Sequence, residues 1–304
     1  MQIAVTGGTG FIGRNVAALL AAEGHEIVLV ARGVENRYPA VRLLPGVTLV
    51  RASVAEEKRL RDAFSGCDAV VHLAGIYAES PTQTFHGVHV EGTRNALAAS
   101  RLAGVRRFVT LSPCRARPGT GSPLHDSKWE AEEIVRASGI DHVVARAGVV
   151  YGPEDHLLDG LSRSLATRPL VPLFGLRRRV VRPVAVTDVV RVLAAATSGR
   201  AVPAAVRVVG PDEMHLTDLV RAVGAAVDRR AFCLRIPGWL HHSHATALER
   251  LLLMTIASRT GEAAPWADPP PPQLAPRARF TTEVIRRFLP AALRAERRAP
   301  HLAA

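Results

Sequence analysis

Lysine is almost absent. Lys58 and Lys128 are the only two lysines among 39 basic residues, so 37 are arginine. Aromatic residues make up 5% of the 304 positions, with three tyrosines in all, and they are not interleaved with the basic residues. That pattern argues against a nucleic-acid surface. Cysteine is equally scarce. Cys67, Cys114 and Cys233 are far apart, odd in number and without metal-ligand spacing, which excludes a disulfide framework and a cysteine metal site and leaves them as small buried apolar residues. No apolar run approaches the roughly 18 residues of a membrane span. The longest, "LERLLLMTIA" at 248–257, is short and carries charges. Met1 leads straight into "QIAVTGG" without a basic-then-apolar leader, so a cytoplasmic protein is expected.

The rest of the composition is that of a globular protein, 48% hydrophobic and 22% charged. The length suits one large domain or two modest ones. The net charge of +12 is uneven: 17 basic and 14 acidic groups stand in residues 1–150, against 22 and 13 in 151–304. It is densest in "LRRRVVRP", with Arg177, Arg178, Arg179 and Arg182. A solvated arginine-rich surface is the plainer reading. The sharper one is a basic wall facing an anionic substrate, a cofactor phosphate or membrane lipid.

Residues 1–150 alternate strand and helix patterns. Strands are expected at 2–7, 26–32, 47–52, 68–75, 106–112 and 141–150, with helices at 15–24, 55–64, 88–103 and 124–138. Apolar strands without polar alternation, joined by helices, indicate a parallel sheet buried on both faces, hence an α/β doubly wound fold. Beyond Tyr151 the pattern loosens. Helices are expected near 155–167, 187–197, 215–227, 237–258 and 281–297, with strand-like segments at 180–185 and 204–210 and an irregular proline segment at 265–276. The expected division is a dinucleotide-binding domain of residues 1–155, with 184–200 returning to it, and a smaller α/β domain of 156–183 and 201–304.

"VTGGTGFIG" at 5–13 closes the first strand and opens the first helix. Gly7, Gly10 and Gly13 recur every third position, and Gly8, Gly10 and Gly13 spell G-x-G-x-x-G. Glycines here permit a tight turn and let main-chain N–H groups approach a pyrophosphate at the positive end of a helix. A site for NAD(H) would carry an acid at the end of the second strand. This chain has Arg32 in "LVARG", and a guanidinium can pair with a 2′-phosphate, so NADP(H) is favoured over NAD(H).

The segments "TGGTGFIG", "VVHLAG", "GTRNALAASRLAGVRRFVTLS", "SKWEAEEIVRASGI" and "ARAGVVYGPED" fall in an order that resembles the short-chain dehydrogenases/reductases. The likeness is to the extended and atypical branch: the epimerase/dehydratase-like proteins, complex I accessory subunits and NmrA-like proteins. It covers about residues 1–200. It implies a Rossmann domain whose cofactor contacts include Gly7, Gly10, Phe11, Ile12, Gly13, Arg32, Ser53, Leu73, Ala74, Gly75 and Lys128. It also implies that Ser112, ending the fifth strand, holds the substrate oxygen, that Lys128 binds the nicotinamide ribose, and that a tyrosine four residues before the lysine passes the proton.

At that tyrosine position stands Leu124. The asparagine expected on the preceding helix is His89, the adenine-side acid is Ser53, and the sixth-strand proline is Ala147. Replacement donors rank as Tyr151, His89 and Tyr77, with His125 set toward solvent and His72 structural. The leading expectation is an NADP(H)-dependent reductase of a small carbonyl or enone lacking the standard tyrosine. A non-catalytic NADP(H)-binding assembly or sensor protein comes second, and a redox-neutral epimerase or dehydratase third. The expected partner is a small-molecule substrate, with Arg177–Arg182 hinting at an anionic one, and the chain is expected as a monomer or homodimer.

Overall fold

The computed structural model of the chain describes residues 1–33, 43–174, 179–236 and 267–289, which fall into two compact units. Thirteen strands are described: β1 (Gln2–Thr6), β2 (Glu26–Ala31), β3 (Val47–Arg51), β4 (Ala69–His72), β5 (Arg107–Pro113), β6 (Asp141–Ala147), β7 (Val150–Tyr151), β8 (Leu170–Phe174), β9 (Val180–Val181), β10 (Val184–Ala185), β11 (Ala205–Val208), β12 (Met214–His215) and β13 (Phe232–Ile236). The helices are α1 (Phe11–Ala22), α2 (Glu57–Phe64), α3 (Gly92–Leu102), α4 (Pro123–Arg136), α5 (His156–Thr167), α6 (Val186–Thr197), α7 (Leu216–Ala226) and α8 (Thr282–Phe288). A π-helical stretch, His86–Glu91, leads into α3.

The first unit is a seven-stranded parallel sheet in the order β11-β6-β5-β4-β1-β2-β3. Its central strands are buried along their length, as continuous apolar runs require. The strand order reverses between β1 and β4, which opens a crevice at their C-terminal ends, the usual ligand position in such sheets. α6 belongs to this unit. So does β11, which pairs with β6 and so lies outside the smaller domain it was assigned to.

The change of unit falls between Ala147 and Gly148, ahead of residue 155. The long sixth strand breaks there because Gly148 packs against main chain: a Cβ on it would lie 2.4 Å from the Arg182 carbonyl oxygen. Beyond the break, Val150 and Tyr151 pair with β10 in the second unit. The described part of the proline segment is not wholly irregular. Asp268 bridges to Val206, Pro272–Leu274 make a 3₁₀ turn, and Leu274 is buried.

The second unit packs α5, α7 and α8 around Tyr151, Leu161, Leu165, Val171, Leu219 and Ile285. Thr281 caps α8, its hydroxyl accepting from the Val284 N–H. The helix expected at 237–258, with its histidines, lies outside the described residues, as do Arg177, Arg178 and the continuation of α8 past 289. Among the described residues no helix is long and apolar enough to cross a membrane.

Gly7 is a tight point of the first unit. Its φ is +66°, and a Cβ would stand 2.8 Å from the Leu73 carbonyl and the Ala74 nitrogen. The loop after β1 is thus pressed on the end of β4, main chain on main chain. Gly7→Ala should lower unfolding free energy by about 1–3 kcal/mol from backbone strain alone, read by urea denaturation. An unchanged midpoint would contradict this packing.

Candidate functional site

The glycine loop shapes the first half of the site. The Gly10 N–H donates to the Gly7 carbonyl at 2.9 Å, which closes the turn, and Gly10 stands at the N-cap of α1 in extended conformation. Gly13 nests on the loop, where a Cβ would fall 2.4 Å from the Gly7 oxygen. The N–H groups of Phe11, Ile12 and Gly13 lie in the first turn, where a helix offers no carbonyl to receive them. No acid stands in that turn. Main-chain donors and a positive helix end with no competing carboxylate suit a pyrophosphate.

Arg32 follows directly on β2, the strand whose Val30 carbonyl receives the Gly8 N–H. It is exposed and makes no ion pair with a described residue. Ser53 serves a local turn: its N–H donates to the Glu56 carboxylate at 2.7 Å and its hydroxyl accepts from the Ala55 N–H.

A chain of buried hydrogen bonds fixes the other half. The Thr93 hydroxyl donates to the His89 carbonyl at 2.6 Å, so toward His72 Nε2, at 3.3 Å, it can only accept. His72 therefore carries its proton on Nε2, and Nδ1 accepts from the Thr6 hydroxyl at 2.9 Å. The Ile76 N–H donates to His89 Nε2 at 3.1 Å, which leaves the His89 proton on Nδ1, given to Ser127 Oγ at 2.9 Å. Ser127 then donates to the Leu124 carbonyl at 3.0 Å. Burial first, and the Lys128 charge second, push His72 down to about 3 and His89 to about 2, so both are neutral at pH 7.

Lys128 sits inside this frame. A Cβ on Gly75 would stand 3.2 Å from Lys128 Nζ and 3.4 Å from His89 Nε2, so any side chain there would crowd the amine. Lys128 makes no hydrogen bond or ion pair with a described residue. Burial pushes it down to about 8, against a smaller upward pull from Glu132 one turn along α4. Ser112 ends β5. Thr110 pairs with His72, so Ser112, two residues on, comes level with the 73–75 loop. Its Oγ is buried and has no hydrogen-bond partner among the described residues. A buried, unsatisfied hydroxyl is costly unless something else bonds it.

The sequence profile of the NAD dependent epimerase/dehydratase family matches residues 3–208. The chain belongs to this family. It is 32% identical over 179 residues to a protein of Caulobacter vibrioides named ceramide reductase, covering 59% of this chain and 55% of that one. It is 29% identical over 153 residues to photosystem II assembly factor Ycf39 of Synechocystis sp., covering 50% and 46%. The chain spans about half the length of both relatives. Among solved structures, the UDP-glucose 4-epimerase of Thermus thermophilus complexed with NAD superposes with a TM-score of 0.67 at 23% identity, covering 99% of this chain and 100% of that one. At that identity the likeness speaks for the fold.

Against the family pattern, α4 presents Leu124, which is buried and has no proton to give. The structure also corrects three expected donors or orientations. Tyr151 lies in the core of the second unit with no exposed surface, its hydroxyl donating to the Arg279 carbonyl at 3.2 Å and its ring edge-on to Phe280. The break at Gly148 carries it there, and it is a packing residue. His89 is neutral with both ring nitrogens engaged. His125 is buried, not solvent-facing, and is held by the Ser122 hydroxyl at 2.8 Å. Asp126 accepts from both the N–H and the hydroxyl of Thr120 and so draws the loop before α4 over that face. Tyr77, two residues past Gly75, remains exposed.

Sequence reasoning missed Thr6, Thr93 and Ser127, whose roles appear only once the chain is folded. It also missed the pair formed by Arg146, fully buried in β6, and Glu132 of α4, with Nε to Oε2 at 3.0 Å and the Arg146 and Arg136 guanidinium groups 5.3 and 5.0 Å from the centre of the Trp129 ring. An arginine inside "HVVARAGVV" was the available signal, because a buried guanidinium demands an acid. Glu132 also accepts from Arg136, so one buried carboxylate between two guanidinium groups ties the helix that carries Lys128 to β6.

The neutral histidines have a measurable consequence. Their folded pKa values lie below the ordinary 6.5, so the unfolded chain takes up protons first. The stability is whole above pH 6.5 and is lost as pH falls toward 3, by about 1.4 kcal/mol per pH unit for each histidine. His89→Asn keeps an acceptor for the Ile76 N–H and should flatten the fall between pH 6 and pH 5 by about that amount in urea titrations. Parallel curves would contradict the neutral assignment.

Proposed function

We propose that this chain is an NADP(H)-dependent reductase of a carbonyl or enone-type compound in which Lys128 supplies the proton. The observation that carries the reading is an amine beside Gly75 that has no hydrogen-bond or ion-pair partner among the described residues, on a helix whose usual donor position holds Leu124. The reductase name of the Caulobacter relative supports the reaction class. The glycine turn and first turn of α1 suit the pyrophosphate, and Arg32 suits the 2′-phosphate that distinguishes NADPH from NADH. A dinucleotide held there would supply the hydride for the carbonyl carbon. Ser112 Oγ–H donates to the carbonyl oxygen and orients it, satisfying its own buried hydroxyl. As negative charge gathers on that oxygen, the Lys128 ammonium gives up a proton and is left as a neutral amine, which regains a proton from solvent. An ammonium with a pKa near 8 is well matched to this exchange at neutral pH.

A second reading, an NADP(H)-binding assembly factor without turnover, is supported by buried Leu124 and by the likeness to Ycf39. One set of assays separates the two. NADPH oxidation over a panel of carbonyl substrates should be level below pH 8 and fall tenfold per unit above it, because the protonated amine is the donor. Lys128→Met should lower turnover by about 10²–10⁴ while Tyr77→Phe leaves it unchanged. Arg32→Ala should weaken NADPH binding and spare NADH. Tight NADPH binding with no oxidation of any substrate would favour the second reading, and loss of activity in Tyr77→Phe would reassign the donor.

A further inference from the structure

β8 and β13 run side by side in parallel, with Leu170 opposite Phe232 and Pro172 opposite Leu234. Val171 and Leu173 on β8 and Cys233 on β13 turn inward and pack in the core of the second unit. Side chains alternate across a strand, so Leu170, Pro172, Phe232 and Leu234 share the outer face. A sheet covered on one side ordinarily carries polar residues on the other. This face carries none: Leu170 is 52% exposed, Phe232 57% and Leu234 49%. Three of the seven exposed large hydrophobic side chains of the described chain thus gather on two short strands. Such clustering marks an interaction surface rather than scattered exposure.

The charge beside it has one sign. Arg168 stands just before β8, and Arg229 and Arg230 stand just before β13. The Phe232 N–H donates to the Pro169 carbonyl at 2.7 Å, which holds these two strand starts together. All three arginines are exposed, and none forms an ion pair with a described residue. The adjoining acid, Asp228, is paired with Arg286 at 2.7 Å. No acid occurs in 167–174 or 229–236.

We propose that this face docks on a membrane surface rich in anionic lipid. Leu170, Phe232 and Leu234 enter the boundary between headgroups and acyl chains, and Arg168, Arg229 and Arg230 meet the lipid phosphates. Apolar contact and cationic attraction act together in such binding. A second copy is the poorer occupant, because a two-fold contact through this face would bring two basic patches together. The inference rests on the second unit alone and is independent of the proposed reaction.

Co-sedimentation of the full chain with phosphatidylcholine vesicles, with and without about a third phosphatidylglycerol, tests it. Binding is expected only to the anionic vesicles and should weaken with salt. Arg229→Gln with Arg230→Gln should weaken it about 25-fold, about fivefold for each arginine. Phe232→Ser with Leu234→Ser should abolish it, with the circular dichroism spectrum and melting curve unchanged. A Phe232→Cys variant should react rapidly with a thiol dye in free protein and slowly on anionic vesicles. Failure to bind either vesicle, or equal binding by the double-arginine variant, overturns the proposal. So does slow labelling of free Phe232→Cys, meaning that the chain covers its own face. Concentration-dependent self-association lost in the Phe232→Ser and Leu234→Ser variant does the same, meaning that a second copy covers it.

Discussion

The neutrality of His72 and His89 is the condition on which the rest of the site depends. Each ring is buried, each has both nitrogens engaged, and each hydrogen-bonding direction is forced by a neighbour that has only one proton to give. Were either ring charged, it would repel the nearby Lys128 ammonium. Because both stay neutral, a lone ammonium can be held there with its pKa lowered but not abolished. The same bonds tie together Thr6 of β1, His72 of β4, Thr93 of α3 and Ser127 of α4. The four elements that border the crevice are therefore set by one connected network.

The glycine loop imposes the complementary constraint. Gly7 brings the end of β1 into main-chain contact with Leu73 and Ala74, and Gly75, one residue on, leaves space for the lysine. The loop that would hold the pyrophosphate and the loop that borders the amine are thus joined at the point where strand order reverses. Moving one would displace the other, so in the proposed reaction cofactor binding and proton supply would be linked through geometry. The buried Arg146–Glu132 pair fixes α4 against β6 from the far side.

Much of this was legible in the sequence where a local rule decided it. The parallel sheet followed from apolar strands without alternation, and the glycine turn from its place between a strand and a helix. Lys128 stood out because lysine is otherwise nearly absent. What was not legible depended on contacts distant in sequence. Tyr151 follows a strand that points toward the crevice, but Gly148 breaks that strand against the Arg182 carbonyl, and the tyrosine passes into another core. His125 was placed by helical rotation alone, which takes no account of a loop tied down by Asp126 and Thr120. The hydroxyls of Thr6, Thr93 and Ser127 carry no pattern of their own and acquire meaning only as partners of buried histidines.

The scarcity of lysine also makes the central claim directly measurable. With ¹⁵N-labelled lysine in a Lys58→Arg background, Nζ of Lys128 gives a single resonance that can be followed with pH. If a desolvated amine framed by neutral histidines is the proton reserve of the site, that resonance titrates near pH 8, and saturating NADPH shifts it. A titration above about pH 10, the ordinary value for lysine, with no response to NADPH, would mean that the amine is solvated and away from the cofactor, and would contradict the account.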